Sequence, residues 1–187
     1  MNIYFVRHSK TVYTEDDNLR PLTEDGLGLL IHLEDYFKDI KIDSFYSSTF
    51  KRSIDTIKGV ALEKELDIEL IDDLRERKVS DIKIEDFISY AKNQWSDHDF
   101  KLPSGESLNE TKSRGVKELL KIVESNDNDN NIIIGTHGTI LSLIINHYDI
   151  SFGYDGWSNL SMPDIILMKF DNNNFIGYEK INYIKEK

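Results

Sequence analysis

The chain has 187 residues, 39% hydrophobic and 30% charged, the balance of one ordinary globular domain with a sizeable core. Its formal net charge is -11, from 34 acidic and 23 basic residues, which argues against nucleic acid or an anionic membrane as a partner. The absence of cysteine excludes disulfides, thiolate metal sites and a cysteine nucleophile, and it fits a reducing cytoplasm.

The first element is a buried strand over residues 2–6, NIYFV, a short run of β-branched and aromatic residues. The apolar run before Arg7 is too short for a secretory signal, and no segment has the length of a bilayer span. A helix is expected through LTEDGLGLLIHLEDYFK, starting at Thr23 with Glu24 and Asp25 behind it. Leu27, Leu30, Ile31 and Leu33 would form its apolar face. IDSFYSS reads as a second strand, and FKRSIDTIKGVALEKEL as a second helix with Ile54, Ile57 and Ala61 on one side. A short strand, IELID, precedes the polar stretch DLRERKVSD.

The middle of the chain, residues 84–103, holds IEDFISYAKNQW; a loop follows through LPSGES and then a long helix over LNETKSRGVKELLKIVE. The Asn/Asp run at residues 126–131 is a solvated loop. NIIIG is a strongly buried strand with the helix TILSLIINHY behind it. DIILMKF and FIGYEKINYI read as two strands joined by DNNN, a hairpin signal. No repeat or linker divides the chain, so a single domain over residues 1–187 is expected.

Strands alternating with helices predict an α/β fold of three layers. Its central sheet is mostly parallel and flanked by helices, with an antiparallel hairpin at the C-terminal edge. In such sheets ligands bind beyond the carboxyl ends of the strands. Those ends carry Arg7-His8, the helix turn with Lys51 and Arg52, Arg75-Glu76-Arg77, and Thr136-His137-Gly138. The ingredients suit phosphoryl transfer. Arginine forks grip phosphate oxygens, a neutral imidazole attacks phosphorus, and a carboxylic acid protonates the leaving oxygen. This chemistry calls for no metal and no cofactor.

The same residues carry a resemblance. RHSKT resembles the Arg-His-Gly-x-Thr signature of the histidine phosphatase superfamily, whose fold is called phosphoglycerate mutase-like. RPLTEDG resembles that family's Pro-Leu-Thr-x-x-Gly segment, YSSTFKRSIDT its Ser-Ser-x-x-x-Arg-x-x-x-Thr segment, and LRER the stretch bearing the acid. PSGES resembles the Gly-Glu-Ser motif before a long helix, and GTHGT the second His-Gly motif. The matches fall in family order across residues 5–139. The resemblance implies that His8 is the nucleophile, that Arg7, Arg52 and His137 grip the phosphate and the transferring group, and that Glu76 donates the proton. Ser9 and Thr14 are lesser candidates for the pocket lining.

Two positions depart from the pattern: Ser9 stands where the family usually has glycine, and RKVSD replaces a glycine-containing stretch after Glu76. Ser9 would crowd the phosphate or add a hydrogen bond, and Arg77 and Lys78 would supply further contacts to an anionic substrate. Competing structural readings exist. Arg52 has Asp55 as a partner on its own helix, and Glu106 suits capping a helix start or fixing an arginine. His32, His98 and His147 lack metal-ligand spacing and read as ordinary residues. Trp95, Phe100 and Trp157 suit core or lid packing better than a substrate wall.

The expected activity is hydrolysis of a small phosphomonoester through a phosphohistidine on His8. Residues 77–105 would form a lid or insertion. Phosphoglycerate mutase is the alternative; a protein phosphohistidine phosphatase or a non-catalytic phosphate-binding module comes behind it. Oligomeric state is left open.

Overall fold

Three consecutive isoleucines show how the layers arise. Ile132, Ile133 and Ile134 have no solvent exposure, and a strand sends alternate side chains to opposite faces. Ile132 and Ile134 join one apolar cluster, Ile133 the other. The structure, a computed structural model, describes residues 1–81 and 84–184; residues 82 and 83, inside the expected lid, and residues 185–187 lie outside the described residues.

The strands are β1 (Asn2–Arg7), β2 (Ser44–Ser47), β3 (Ile68–Leu70), β4 (Asn131–Thr136), β5 (Asp164–Asp171) and β6 (Asn174–Lys180). They form one sheet in the order β3-β2-β4-β1-β5-β6. The pairs β3/β2, β2/β4 and β4/β1 are parallel, whereas β5 and β6 run antiparallel, as expected of the C-terminal hairpin. The helices are α1 (Glu24–Gly28), α2 (Leu30–Phe37), α3 (Lys51–Glu63), α4 (Phe87–Ser96), α5 (Leu108–Ser125), α6 (Gly138–Tyr148) and α7 (Tyr154–Ser158). Leu119, Ile122, Ile140 and Ile144 of α5 and α6 cover one face of the sheet. Leu33, Phe37, Ile57 and Val60 of α2 and α3 cover the other. Among the described residues no helix is long and apolar enough to cross a membrane.

Several details differ from the sequence reading. The first expected helix is two, broken at Leu29, where His32 N–H bonds back only three residues to the Leu29 carbonyl. Gly26 and Gly28 lie in the first segment, and glycine weakens a helix by about 1 kcal/mol per residue relative to alanine. Thr23 caps it as expected, accepting from Gly26 N–H at 2.9 Å. The break turns the apolar face: Leu33 is 1% exposed, but Leu27 and Ile31 are 54% and 51% exposed. Residues 151–163, to which no element was assigned, contain α7. The last strand stops at Lys180, and Tyr183 then donates its hydroxyl to the Pro163 carbonyl at 2.9 Å.

The long helix begins on a capping box formed by Ser107 and Glu110, and its buried stripe of Thr111, Gly115, Val116, Leu119, Ile122 and Val123 follows the helical period. The reassigned face of α2 has a measurable consequence. Leu33→Ala should lower unfolding free energy by about 3 kcal/mol in urea titrations, and Ile31→Ala by less than about 0.5 kcal/mol.

Candidate active site

Register brings the site together. Arg7 pairs with Thr136 across β1 and β4, and Ser47 with Gly135 across β2 and β4, so three parallel strands end level. The residues that follow, His8, Ser48 and His137, therefore emerge side by side. The His8 and His137 ring centroids are 5.3 Å apart, and Ser48 Oγ lies 2.7 Å from His137 Nε2. Phe50 closes the other side, its ring 5.2 Å from that of His137.

Arg52 enters from the first turn of α3, directly after β2. Its guanidinium lies 4.7 Å over the Phe50 ring and donates from Nη1 to the Asp17 carbonyl at 2.7 Å. Its expected rival, Asp55, pairs with Lys51 instead, at 2.5 Å. Arg7 donates from Nη1 to the Leu160 carbonyl at 2.6 Å, while its Nε is buried without a hydrogen-bond partner. The Arg7 guanidinium lies across Gly138, where an added Cβ would sit 3.0 Å from Nη2 and 3.1 Å from Cζ. A glycine opens α6 because the arginine occupies that space.

His8 is 8% exposed and His137 fully buried. His8 Nδ1 is 2.8 Å from the Ser9 carbonyl, which can only accept, so Nδ1 carries the proton and Nε2 keeps its lone pair. Burial is the main force on its basicity. With the positive charges of Arg52 and Arg7, and against the Ser9 carbonyl, burial pulls the imidazole from 6.5 down to about 3. Burial, and then the charge of Arg52, holds His137 well below 6.5. His137 Nδ1 is buried with no partner.

The serine in the glycine position turns away from this cluster. Ser9 donates its hydroxyl to the Gly26 carbonyl at 2.8 Å and its N–H to Thr56 Oγ1 at 3.0 Å. Its backbone is outside the left-handed region, so nothing in the conformation demands glycine. Thr14 is also engaged elsewhere, donating to the Asp16 carbonyl at 2.7 Å.

Glu76 lies against the start of α6, next to His137. Its Oε2 accepts from Thr139 N–H at 2.9 Å; its Oε1 accepts from Ile140 N–H at 3.2 Å and from Arg77 N–H at 2.8 Å. A helix N-terminus is a natural seat for a carboxylate. An arginine that the motifs did not single out holds the chain there. Arg114, on α5, donates to the carbonyls of Asp73 and Arg75 at 2.7 Å and of Glu76 at 3.2 Å. Glu106 fixes that arginine in turn, accepting from Nε at 2.8 Å and Nη2 at 2.9 Å, as the sequence reading allowed. It also accepts from Lys78 N–H at 2.9 Å. Gly105 beside it is needed for close approach, because a Cβ there would sit 2.1 Å from the Val79 carbonyl oxygen.

Arg77 and Lys78, expected as further contacts to an anionic substrate, have neighbours within the chain. Lys78 is exposed and paired with Asp81 at 2.6 Å. Arg77 is 6% exposed, with its guanidinium 5.3 Å over the Tyr90 ring of α4. The aromatic residues pack on one another: Phe87 and Trp157 join α4 to α7 at 6.3 Å, Phe100 meets Tyr90 at 5.9 Å, and Trp95 lies against His98. His147 is an exposed residue near the end of α6.

The depressed basicity of His8 and His137 sets a sign for stability. The unfolded chain takes up protons near pH 6.5 that the folded chain refuses, so stability is full above that pH and falls below it. Between pH 6 and pH 5, each of the two histidines should cost about 1.4 kcal/mol per pH unit in urea denaturation. His8→Asn should remove about one proton of this dependence; an unchanged slope would contradict the assignment.

A model of the histidine phosphatase superfamily, branch 1, matches residues 3–174. No curated protein matches at the sequence level. Among solved structures, YhfR of Bacillus stearothermophilus is similar with a TM-score of 0.74 and 21% identity, covering 94% of each chain. Phosphoglycerate mutase from Bacillus anthracis is similar with a TM-score of 0.77 and 20% identity, covering 97% of this chain and 92% of that one. Mycobacterial glucosyl-3-phosphoglycerate phosphatase, in complex with inorganic phosphate, gives a TM-score of 0.75 at 15% identity over 96% and 95% of the two chains. These likenesses confirm the phosphoglycerate mutase-like fold, and the match across nearly all the strands and both histidine turns identifies the chain as a member of the histidine phosphatase superfamily, branch 1.

Proposed function

We propose that the protein is a metal-independent phosphatase that hydrolyses a small phosphomonoester through a covalent phosphohistidine on His8. The observation that carries this reading is the pairing of His8 Nδ1–H with the Ser9 carbonyl, which leaves Nε2 unprotonated amid Arg7, Arg52 and His137. Arg7 and Arg52 supply forked donors to the equatorial phosphoryl oxygens, and the partnerless Arg7 Nε is one such donor. The buried edge of His137 is a further polar contact. Lost hydrogen bonds at buried polar atoms cost about 1–3 kcal/mol each, so atoms of this kind mark a place where a ligand belongs.

In the first step the Nε2 lone pair attacks phosphorus and the bond to the ester oxygen breaks, with Glu76 giving that oxygen a proton. In the second, the Glu76 carboxylate takes a proton from water, the resulting hydroxide attacks phosphorus, and the P–N bond breaks to release inorganic phosphate and free imidazole. Both oxygens of Glu76 accept amide bonds, so proton donation requires one of them to turn from Thr139 or Ile140 toward the ester oxygen. Residues 77–105, anchored by Arg77 on Tyr90 and by Gln94 donating to the Phe100 and Glu106 carbonyls, form the lid over the leaving group. The cysteine-free chain suits work in the cytoplasm.

Nitrophenyl phosphate should be hydrolysed at a rate unchanged by EDTA, and His8→Ala should lose at least about three orders of magnitude in kcat. Rapid alkaline quench with labelled substrate should trap an acid-labile, base-stable adduct on His8; label on serine, or loss of activity to chelator, would refute the mechanism. Interconversion of phosphoglycerates dependent on a bisphosphorylated primer would replace hydrolysis with mutase activity. Glu76→Gln should slow the phosphorylation of His8 by an alkyl phosphate about a hundredfold, yet leave the first-turnover release of nitrophenol much less affected, because nitrophenolate departs without a proton.

A further inference from the structure

The loop between β1 and α1 lays a carboxylate on the arginine that α3 delivers. Asp17 opens a short 3-10 turn, Asp17–Leu19, whose start is fixed by Asp16 accepting from Asn18 N–H at 2.9 Å. From there Asp17 meets Arg52 twice. Its backbone carbonyl accepts from Nη1 at 2.7 Å, and its carboxylate from Nη2 at 3.3 Å. The two contacts differ in kind. The carbonyl is neutral, close and part of the main chain, so it anchors the guanidinium. The carboxylate bond is long, and the Asp17 side chain is 46% exposed, against 4% for Arg52. Its other oxygen lies 2.7 Å from Arg20 Nε, a charge contact without hydrogen-bond alignment. The carboxylate can therefore swing to Arg20 and open Nη2 while Arg52 stays in place.

We propose that Asp17 is an internal counter-anion that a phosphoryl group must displace from Arg52, and that it weakens the site's hold on inorganic phosphate. The proposal rests on the reading of Arg52 as a phosphate-gripping residue. A phosphate dianion and the Asp17 carboxylate are like charges competing for one guanidinium, in a setting where Arg7 and Arg20 lie on one side of the balance and Glu76 on the other. A substrate has its organic part as a second source of binding. Inorganic phosphate has only the cradle, so the repulsion falls hardest on the product and speeds its departure.

Isothermal calorimetry with inorganic phosphate on the full-length protein reads this directly, because it needs no turnover. Asp17→Asn keeps the carbonyl anchor and the side-chain shape but removes the charge; it should bind phosphate about tenfold more tightly than wild type. Asp17→Ala should shift in the same direction, and phosphate should become a correspondingly stronger inhibitor of nitrophenyl phosphate hydrolysis. Phosphate affinity unchanged or weakened in Asp17→Asn would overturn the proposal and leave Asp17 as a brace for Arg52. Wild-type protein that binds phosphate without hydrolysing esters would sink the proposed activity and leave the Asp17 test intact; phosphate bound by neither protein would sink both.

Discussion

Level endings on three parallel strands are the constraint from which the site follows. β1, β4 and β2 each pass polar residues off the sheet at one height, because Arg7 is registered on Thr136 and Ser47 on Gly135. The isoleucines of β4 enforce this alignment. They are packed on both faces, and a slip of one residue would exchange the two apolar faces and turn every following side chain around. His8 continues the ladder, donating its N–H to the Thr136 carbonyl at 3.0 Å, so even the turn is tied to the neighbouring strand. Hydrophobic burial thus fixes the distance between two imidazoles that never rely on each other for stability.

Around this cluster the protein separates holding from reacting. Arg114 and Glu106 bond to backbone and to each other, and their work is to keep the chain of Glu76 against α6. Arg7 and Arg52 each spend one short bond on a main-chain carbonyl, of Leu160 and Asp17; Arg7 Nε is left without a partner, and Arg52 Nη2 holds only the long bond to the Asp17 carboxylate. A neutral carbonyl is a suitable anchor for a buried guanidinium, because it satisfies a donor without cancelling the charge.

The strands were legible because short apolar runs with β-branched residues leave few alternatives, and the strand-end residues were legible because ligand chemistry collects there. His8, Arg7, Arg52, His137 and Glu76 indeed converge. What escaped the sequence depends on contacts between distant segments. Arg114 reaches carbonyls 38 to 41 positions earlier, and nothing in a helix stripe marks a long polar side chain that turns inward. Ser48 lay inside a recognised motif, yet its bond to His137 spans 89 positions. Arg77 reads only as a further contact to an anionic substrate, and nothing in its surrounding sequence marks its burial against Tyr90. Ile31 was placed in the core by a period that the joint at Leu29 interrupts, and α7 lies in a stretch with no apolar period at all.

The bond from Arg7 to the Leu160 carbonyl carries a mechanical implication. Leu160 lies two residues past α7, whose Trp157 is packed on Phe87 of α4, so one tether runs from Arg7 to this pair of helices. Under the proposed function, selectivity for the organic part of a substrate and strength of grip on its phosphoryl end become two readings of a single linkage, so that remodelling α4 or α7 also retunes Arg7.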